Sequence, residues 1–418
     1  MTPLRRMAGR NPHEAHRVAT PLELLFDLTF ATSFSLAASR FADALAAGHF
    51  AAALLGFAFA SFAICWAWIN FSWFSSAYDT DDWIFRIVTM VQMVGVLVLA
   101  IGLPRMFASI EHGQRLDNSG MVLGYVIMRV ALLFQWLRAA REDPARRRVC
   151  LTYAATISIA QVGWVVQIVF PLSSSAAIAL GAALVLIELS GPALAEGRAG
   201  GTPWHADHIA ERYSLFAIIA LGEGVVGTAA ALSAVIDRQG WTLNAALVGI
   251  AGVGLTFAMW WVYYLVPSGE ILKRHRERAS VWAYLQILIV TSIVATGAGL
   301  HVAASFIEQK AHVTAVAVML AVAVPVVTFL SLLHALYYFL ARRFRSTDAW
   351  LLISSTGVAI VSVIAAASNI STAACLVILM FAPVVTIVVY ELRGYRRQEE
   401  PLALRLIPLQ PGTPQPRI

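Results

Sequence analysis

The chain has 418 residues, 59% hydrophobic and only 13% charged, with a mean hydropathy of +0.73 and a pI near 9.4. Soluble domains carry about twice that charged fraction, so the composition excludes an ordinary soluble fold and points to a polytopic membrane protein. The basic residues sit between apolar segments, which reads as membrane topology and not nucleic-acid binding, and the widely spaced Cys65, Cys150 and Cys375 form no C-x-x-C pair, so neither a zinc site nor a disulfide framework is supported.

Residues 1–19 carry Arg5, Arg6, Arg10 and Arg17 but no apolar run. This reads as a basic cytoplasmic segment, with the first helix as an uncleaved anchor. A spanning helix needs about 20 mostly apolar residues, and twelve segments qualify. A first six-helix half, residues 20–190, holds helices predicted at 21–38, 50–70, 84–103, 119–137, 149–170 and 174–189. A cytoplasmic linker follows at 191–207. A second half, 208–391, holds helices predicted at 208–232, 242–266, 281–301, 313–340, 349–367 and 372–390. Residues 392–418 turn basic and then proline-rich, and such a tail cannot bury a core. The expected fold is all-α.

The charged residues inside these segments are the candidates for function, because each costs free energy in hydrocarbon and usually faces protein or a cavity. Glu23 and Asp27 are four apart on the first helix and share a face. Two carboxylates so close need a cation nearby, and Arg86, Arg129, Arg212 or a bound ion are the candidates. The YDTDDW run, with Asp79, Asp81 and Asp82, has the look of a magnesium-binding acidic cluster. Its place directly before a helix is better explained by capping through Asp81 or Asp82. Arg129 lies near mid-membrane on the fourth helix, where its expected partner is Glu223, then Asp27. Glu188 falls near the inner end of the sixth helix, at the level of Asp27.

The seventh helix carries the densest set, in HIAERYSLFAIIALGEGVV. Arg212 and Glu223 are eleven residues apart, so they point within about 20° of each other and lie roughly 16 Å apart along the axis. Gly222, Gly224 and Gly227 leave room for another helix or a solute to approach. His205, His208 and Glu211, at i, i+3 and i+6, offer a short metal-ligand ladder, and His13 and His16 form an H-x-x-H before the first helix. Solvated interfacial histidines are the better reading of both. No cofactor is indicated, and no Gly-rich phosphate loop or nucleophile elbow is present.

Placing the N-terminus in the cytoplasm puts 23 Lys and Arg inside and 5 outside, with Arg129 and Arg212 in helices. That split favours both termini on the cytoplasmic side of the membrane. The halves also suggest a parallel repeat. Glu23 and Glu211 are 188 residues apart, as are Trp73 and Trp261, and the spacing drifts to 202 between FQWLRAAR and LYYFLARR.

ELLFDLTF at 23–30 and HIAERYSLFAIIALGEGVV, with DDWIFRIVTMVQM and GYVIMRVALLFQWLRAA, resemble the bacterial low-temperature-requirement A (LtrA) family. The resemblance runs from about residue 18 to 397. It implies a multi-helix integral membrane protein, and also a His in the block matching YLQILIV, where this chain has Gln286. The family name records a cold-growth phenotype, so function rests on the charges. They point to a proton- or cation-coupled secondary transporter, or a channel, with an acid/arginine site between the halves. Glu23, Asp27, Arg86, Arg129, Glu188, Glu211, Arg212 and Glu223 would line the pathway of a small solute or ion. The alternative is a membrane-embedded lipid-modifying or metal-dependent enzyme using His205, His208 and Glu211. Neither the oligomeric state nor the solute is legible.

Overall fold

A computed structural model describes residues 4–14, 17–113, 115–170, 172–198, 200–341 and 346–393. Twelve long helices carry the chain: α1 (Pro21–Ala46), α2 (Phe50–Tyr78), α3 (Trp83–Glu111), α4 (Ser119–Glu142), α5 (Arg147–Val169), α6 (Ser174–Arg198), α7 (Ala206–Gln239), α8 (Leu243–Tyr264), α9 (Ala279–Ile307), α10 (Ala315–Ala341), α11 (Ser346–Ala367) and α12 (Thr372–Arg393). All twelve are long and apolar enough to cross a membrane, and no strand occurs among the described residues. The proline-rich tail beyond 393, the Arg342–Arg345 run and His16 lie outside the described residues.

The helices start where side chains satisfy the first free amides. Thr20 and Glu23 form a reciprocal capping box at α1. Asp82 caps α3 by accepting from the Phe85 amide, and Thr242 caps α8. The Asp82 cap matches the reading of YDTDDW. Several helices outrun their apolar segments. α2 runs on to Tyr78, α3 to Glu111, α6 to Arg198 and α7 to Gln239. Hydropathy marks the length that must leave water, whereas backbone hydrogen bonding continues into the polar flanks as long as no breaker intervenes. At 34 residues, α7 extends about 50 Å, well beyond a hydrocarbon core of about 30 Å. A further short helix at Ser268–Arg274, unannounced by any apolar run, packs on α7. Its Lys273 lies 2.8 Å from Asp207.

The helix pair α1 and α7 sits in the middle of the packing. α1 touches α2, α3, α7 and α9, while α7 touches α1, α2, α8 and α9. The closest approaches are made where a side chain would not fit. A Cβ on Gly227 would fall 2.4 Å from the Gly297 carbonyl oxygen, and one on Gly297 would meet the Glu223 backbone, so α7 and α9 run backbone against backbone. Gly224 faces Thr256 of α8, whereas Gly222 faces open space. Of the three glycines in that stretch, two serve helix packing.

The N-terminal segment crosses the helix ends on the side where α2 ends and α7 begins. The Arg10 amide donates to the Ala77 carbonyl. The amides of Met7 and Gly9 donate to Glu142 and Asp143, and Arg17 donates to the Ser75 carbonyl at 2.9 Å. This face is called the strap face below.

Candidate functional site

A buried polar cluster joins α1, α2 and α7. Glu23, Asp27, His208 and Arg212 are all fully or almost fully buried. The helix period puts Glu23 and Asp27 on one face of α1, and His208 and Arg212, also four apart, on the facing side of α7. Arg212 bridges the acids. Its Nη2 lies 2.5 Å from Asp27 Oδ1, and its Nη1 is in ion-pair contact with Glu23 Oε1 at 2.8 Å without the alignment of a hydrogen bond. His208 Nε2 meets Glu23 Oε2 at 3.1 Å. From α2, the Trp68 indole N–H donates to Asp27 Oδ1 at 2.6 Å and the Ser75 hydroxyl to Glu23 Oε1 at 2.5 Å. Ser72 accepts from Arg212 at 3.2 Å. The guanidinium also stands over the rings of Trp68 and Phe71, a favourable place for a desolvated cation.

Three atoms of this cluster have no protein partner: Asp27 Oδ2, His208 Nδ1 and Arg212 Nε. The charges do not balance either. Two carboxylates face one guanidinium, leaving a net charge of −1 with a neutral imidazole; one more proton or cation restores neutrality.

Further along the same α1–α7 seam lies a second polar station. The Ser35 hydroxyl donates to Glu223 Oε1 at 2.5 Å, and Glu223 is buried. Between the stations the seam is closed by aromatic rings. Phe216 stacks on Trp68 at 4.0 Å and lies 5.2 Å from Phe34 and 6.2 Å from Phe30.

The expected pairing of Arg129 with Glu223, or with Asp27, is corrected. Arg129 of α4 pairs with Glu188 of α6, both buried. Glu188 also accepts from the Trp66 indole at 2.9 Å and from Gln161 at 3.1 Å. Depth estimated from sequence fixes a level in the membrane but not the neighbouring helix, and α4 and α6 share α5 as a neighbour. Among the described residues no arginine pairs with Glu223, which accepts from Ser35. Arg86 is also corrected: it is exposed and binds Asp81 through two hydrogen bonds of 2.8 Å, away from the cluster. Glu211 is half-buried at the strap face, where it accepts from the Ala19 amide at 3.2 Å.

The His205–His208–Glu211 ladder is spread over three separate jobs. His205 caps α7 and its Nε2 meets the Glu14 carbonyl, whereas His208 belongs to the cluster. Both histidines are buried, which replaces the expectation of solvated imidazoles. Among the described residues no group of three or more His, Cys, Asp or Glu is arranged to hold a metal ion. Gln286, where a His was implied, lies on α9 and accepts from the Tyr263 hydroxyl of α8 at 3.3 Å. Beside the cluster, burial and then the charge of Glu23 raise the Asp79 carboxyl to about 6, against the opposing pull of Arg17.

Trp68, Ser72 and Ser75 were not singled out from the sequence. Their i, i+4, i+7 spacing within an apolar aromatic run was the available signal.

A bundle of twelve membrane-length helices with buried arginine–carboxylate sites is a polytopic integral membrane protein. The family model described as "Bacterial low temperature requirement A protein (LtrA)" matches residues 18–385, and the chain belongs to that family. It is also similar to a protein of Rhizobium meliloti (strain 1021) named uncharacterized protein RA0937, at 26% identity over 297 residues, which is 66% of this chain and 67% of that one. No solved structure matches the chain.

Proposed function

We propose that this LtrA-family membrane protein is a secondary transporter coupled to protons or cations, with its coupling site at the α1–α7 seam. The observation that carries the reading is the unbalanced cluster: among the described residues Arg212 is the one arginine in ion-pair contact with Glu23 and Asp27, and Asp27 Oδ2 and His208 Nδ1 have no protein partner. A buried net charge is expensive, so this site favours binding of a proton or cation. Glu223 supplies a second carboxylate further along the seam, beyond the aromatic layer. Two polar stations with an apolar barrier between them suit alternating occupancy better than an open pore does.

The proposed setting is the bacterial inner membrane, with lipid around the bundle, both termini cytoplasmic and the strap face inside. The 23-to-5 split of basic residues supports that orientation. A parallel repeat is part of the same reading. α1 packs on α2 and α3 as α7 packs on α8 and α9, and both Glu23–Glu211 and Ser35–Glu223 keep the spacing of 188 residues.

The test is proton uptake that needs no knowledge of the solute. Difference infrared spectra of protein in liposomes, taken across a pH step, should show a carboxyl protonation band that is lost in Asp27→Asn and reduced in Glu223→Gln. Dye-reported proton flux down a pH gradient should fall in the same two variants. Spectra and flux identical in the wild type and both variants would reject the coupling site.

A further inference from the structure

We propose that the ion bound by the α1–α7 cluster is a proton, held on Asp27 Oδ2, and not sodium or another alkali cation. This rests on the transport reading and deepens it by naming the coupling ion. The two kinds of ion make opposite demands. An alkali cation gives up its water only to a shell of several oxygens, whereas a proton needs a single acceptor atom and no cavity.

The cluster contains oxygens, but nearly all are engaged. Glu23 Oε1 accepts from Ser75 and meets Arg212 Nη1, while its Oε2 accepts from the Thr20 amide and meets His208 Nε2. Asp27 Oδ1 accepts from Trp68 and Arg212. The Ser72 hydroxyl accepts from Arg212, and the Ser75 hydroxyl donates to Glu23. Backbone oxygens are no freer. α1, α2 and α7 run unbroken through the site, so their carbonyls are committed to helix bonds. The carbonyls of Ser72 and Ser75 also accept a side-chain bond each. Transporter sites that hold sodium draw instead on carbonyls freed where a helix unwinds. Among the described residues of this cluster, the one oxygen left without a partner is Asp27 Oδ2. It is a poor seat for a metal ion, because Arg212 Nη2 lies 2.5 Å from the other oxygen of the same carboxylate and repels a second cation.

His208 Nδ1 is the other free acceptor, because Nε2 faces a Glu23 carboxylate oxygen that can only accept. A proton on Nδ1 would leave four buried charges: Glu23, Asp27, Arg212 and the imidazolium. A proton on Asp27 leaves two, Glu23 and Arg212, already in contact at 2.8 Å. Burial favours the smaller number. In that step a hydronium ion delivers the proton and leaves as water, one O–H bond forms on Oδ2, and the cluster goes from −1 to neutral. The charged and titratable groups facing Asp27 are Glu23 on its own helix and Arg212 and His208 on α7. α2 presents the neutral Trp68 and Ser72. Arg86, Arg105 and Glu111 of α3 are not buried, and His301 of α9 lies within electrostatic reach of Asp43, toward the other end of α1.

The experiment uses the full chain in liposomes. Infrared difference spectra give the midpoint of the carboxyl protonation band while sodium is raised from about 1 mM to about 100 mM, with N-methyl-D-glucamine holding the ionic strength constant. Sodium competing for the same oxygen would lower the midpoint by up to about one pH unit for each tenfold rise. The expected shift is less than about 0.2 unit over the whole range, and lithium and potassium should likewise leave the midpoint in place. The band should vanish in Asp27→Asn and return at a different frequency in Asp27→Glu, which keeps the charge. A midpoint that falls as sodium rises would overturn the proton assignment and leave the transport reading standing. A band that persists unchanged in both Asp27 variants would overturn the seat on Asp27. A wild type with no pH-dependent carboxyl band would remove the inference together with the reading beneath it. The sodium titration is read on the wild type, so it decides between the ions even where a variant does not fold.

Discussion

Replacing Arg212 by Met tests whether the α1–α7 seam is held by its ion pairs. The substitution keeps roughly the same volume and removes the one cation among the described residues that touches both acids. Glu23 would retain Ser75, His208 and the Thr20 amide, whereas Asp27 would retain only the Trp68 indole. Leaving buried carboxylates without their cation costs about 3–5 kcal/mol. Asp27→Asn alone keeps the Glu23–Arg212 contact and should cost only about 1–2 kcal/mol. If the penalty in Arg212→Met comes from unpaired charge, adding Asp27→Asn must give part of it back. The double variant should then be more stable than the sum of the singles predicts, by about 0.5–3 kcal/mol. Unfolding in mixed micelles, followed by tryptophan fluorescence, reports this directly, because Trp68 lies under the guanidinium. Strict additivity of the two substitutions, or a loss below about 1 kcal/mol in Arg212→Met, would refute the reasoning.

Arg129→Met should also destabilise by about 3 kcal/mol or more, since Glu188 keeps only neutral donors. Arg129→Met with Glu188→Met should recover most of that loss and leave proton flux unchanged, which unfolding and liposome assays on the same protein would check. Asp79→Asn should stabilise the protein at pH 7.5 by about 2–3 kcal/mol. The sign follows from linkage: a carboxyl held near 6 in the folded state binds more protons there than in the unfolded chain, so its cost grows as pH rises through 6 and vanishes below about 4. Melting curves of wild type and Asp79→Asn should therefore converge in acid, and curves parallel from pH 4 to 8 would show that Asp79 does not titrate as described.

The twelve helices were legible because each is an apolar run long enough to span, and burial of such runs has few alternatives. Their ends were not. The apolar run of α7 stops near Leu232, yet the helix continues to Gln239 and stops at Gly240, where φ is +69°; only the glycine marks that end. The capping box at Thr20 and Glu23 was readable as T-x-x-E before an apolar run. It shows that Glu23 does local and long-range work at once. Glu23, Asp27 and Arg212 were marked as candidates because charge inside an apolar helix needs a partner, and the structure brings the three together. Which partner it finds was not readable. Arg129 and Glu223 share an expected depth, but lateral position depends on which helices pack together, and α4 and α6 meet through α5. His208 was misplaced for a related reason. It lies at the start of its helix, where water is the default neighbour, but the N-terminal strap and α1 cover it.

Arg129 and Arg212, both buried, make different arrangements from the same chemistry. Arg129 faces one carboxylate, and Glu188 spends its remaining oxygen on Gln161, so the pair is neutral and its acceptor is saturated. A neutral pair whose acceptor is fully used has little to gain from an incoming proton, and it ties α4 to α6. Arg212 faces two carboxylates, and one oxygen of Asp27 is left over. Such a cluster changes its balance each time a proton enters or leaves, and the change acts on the contact between α1 and α7. Those two helices belong to different halves of the chain. In the proposed transport reading, a protonation event there would bear on how α1 and α7 hold together, which a pair between α4 and α6 would not do.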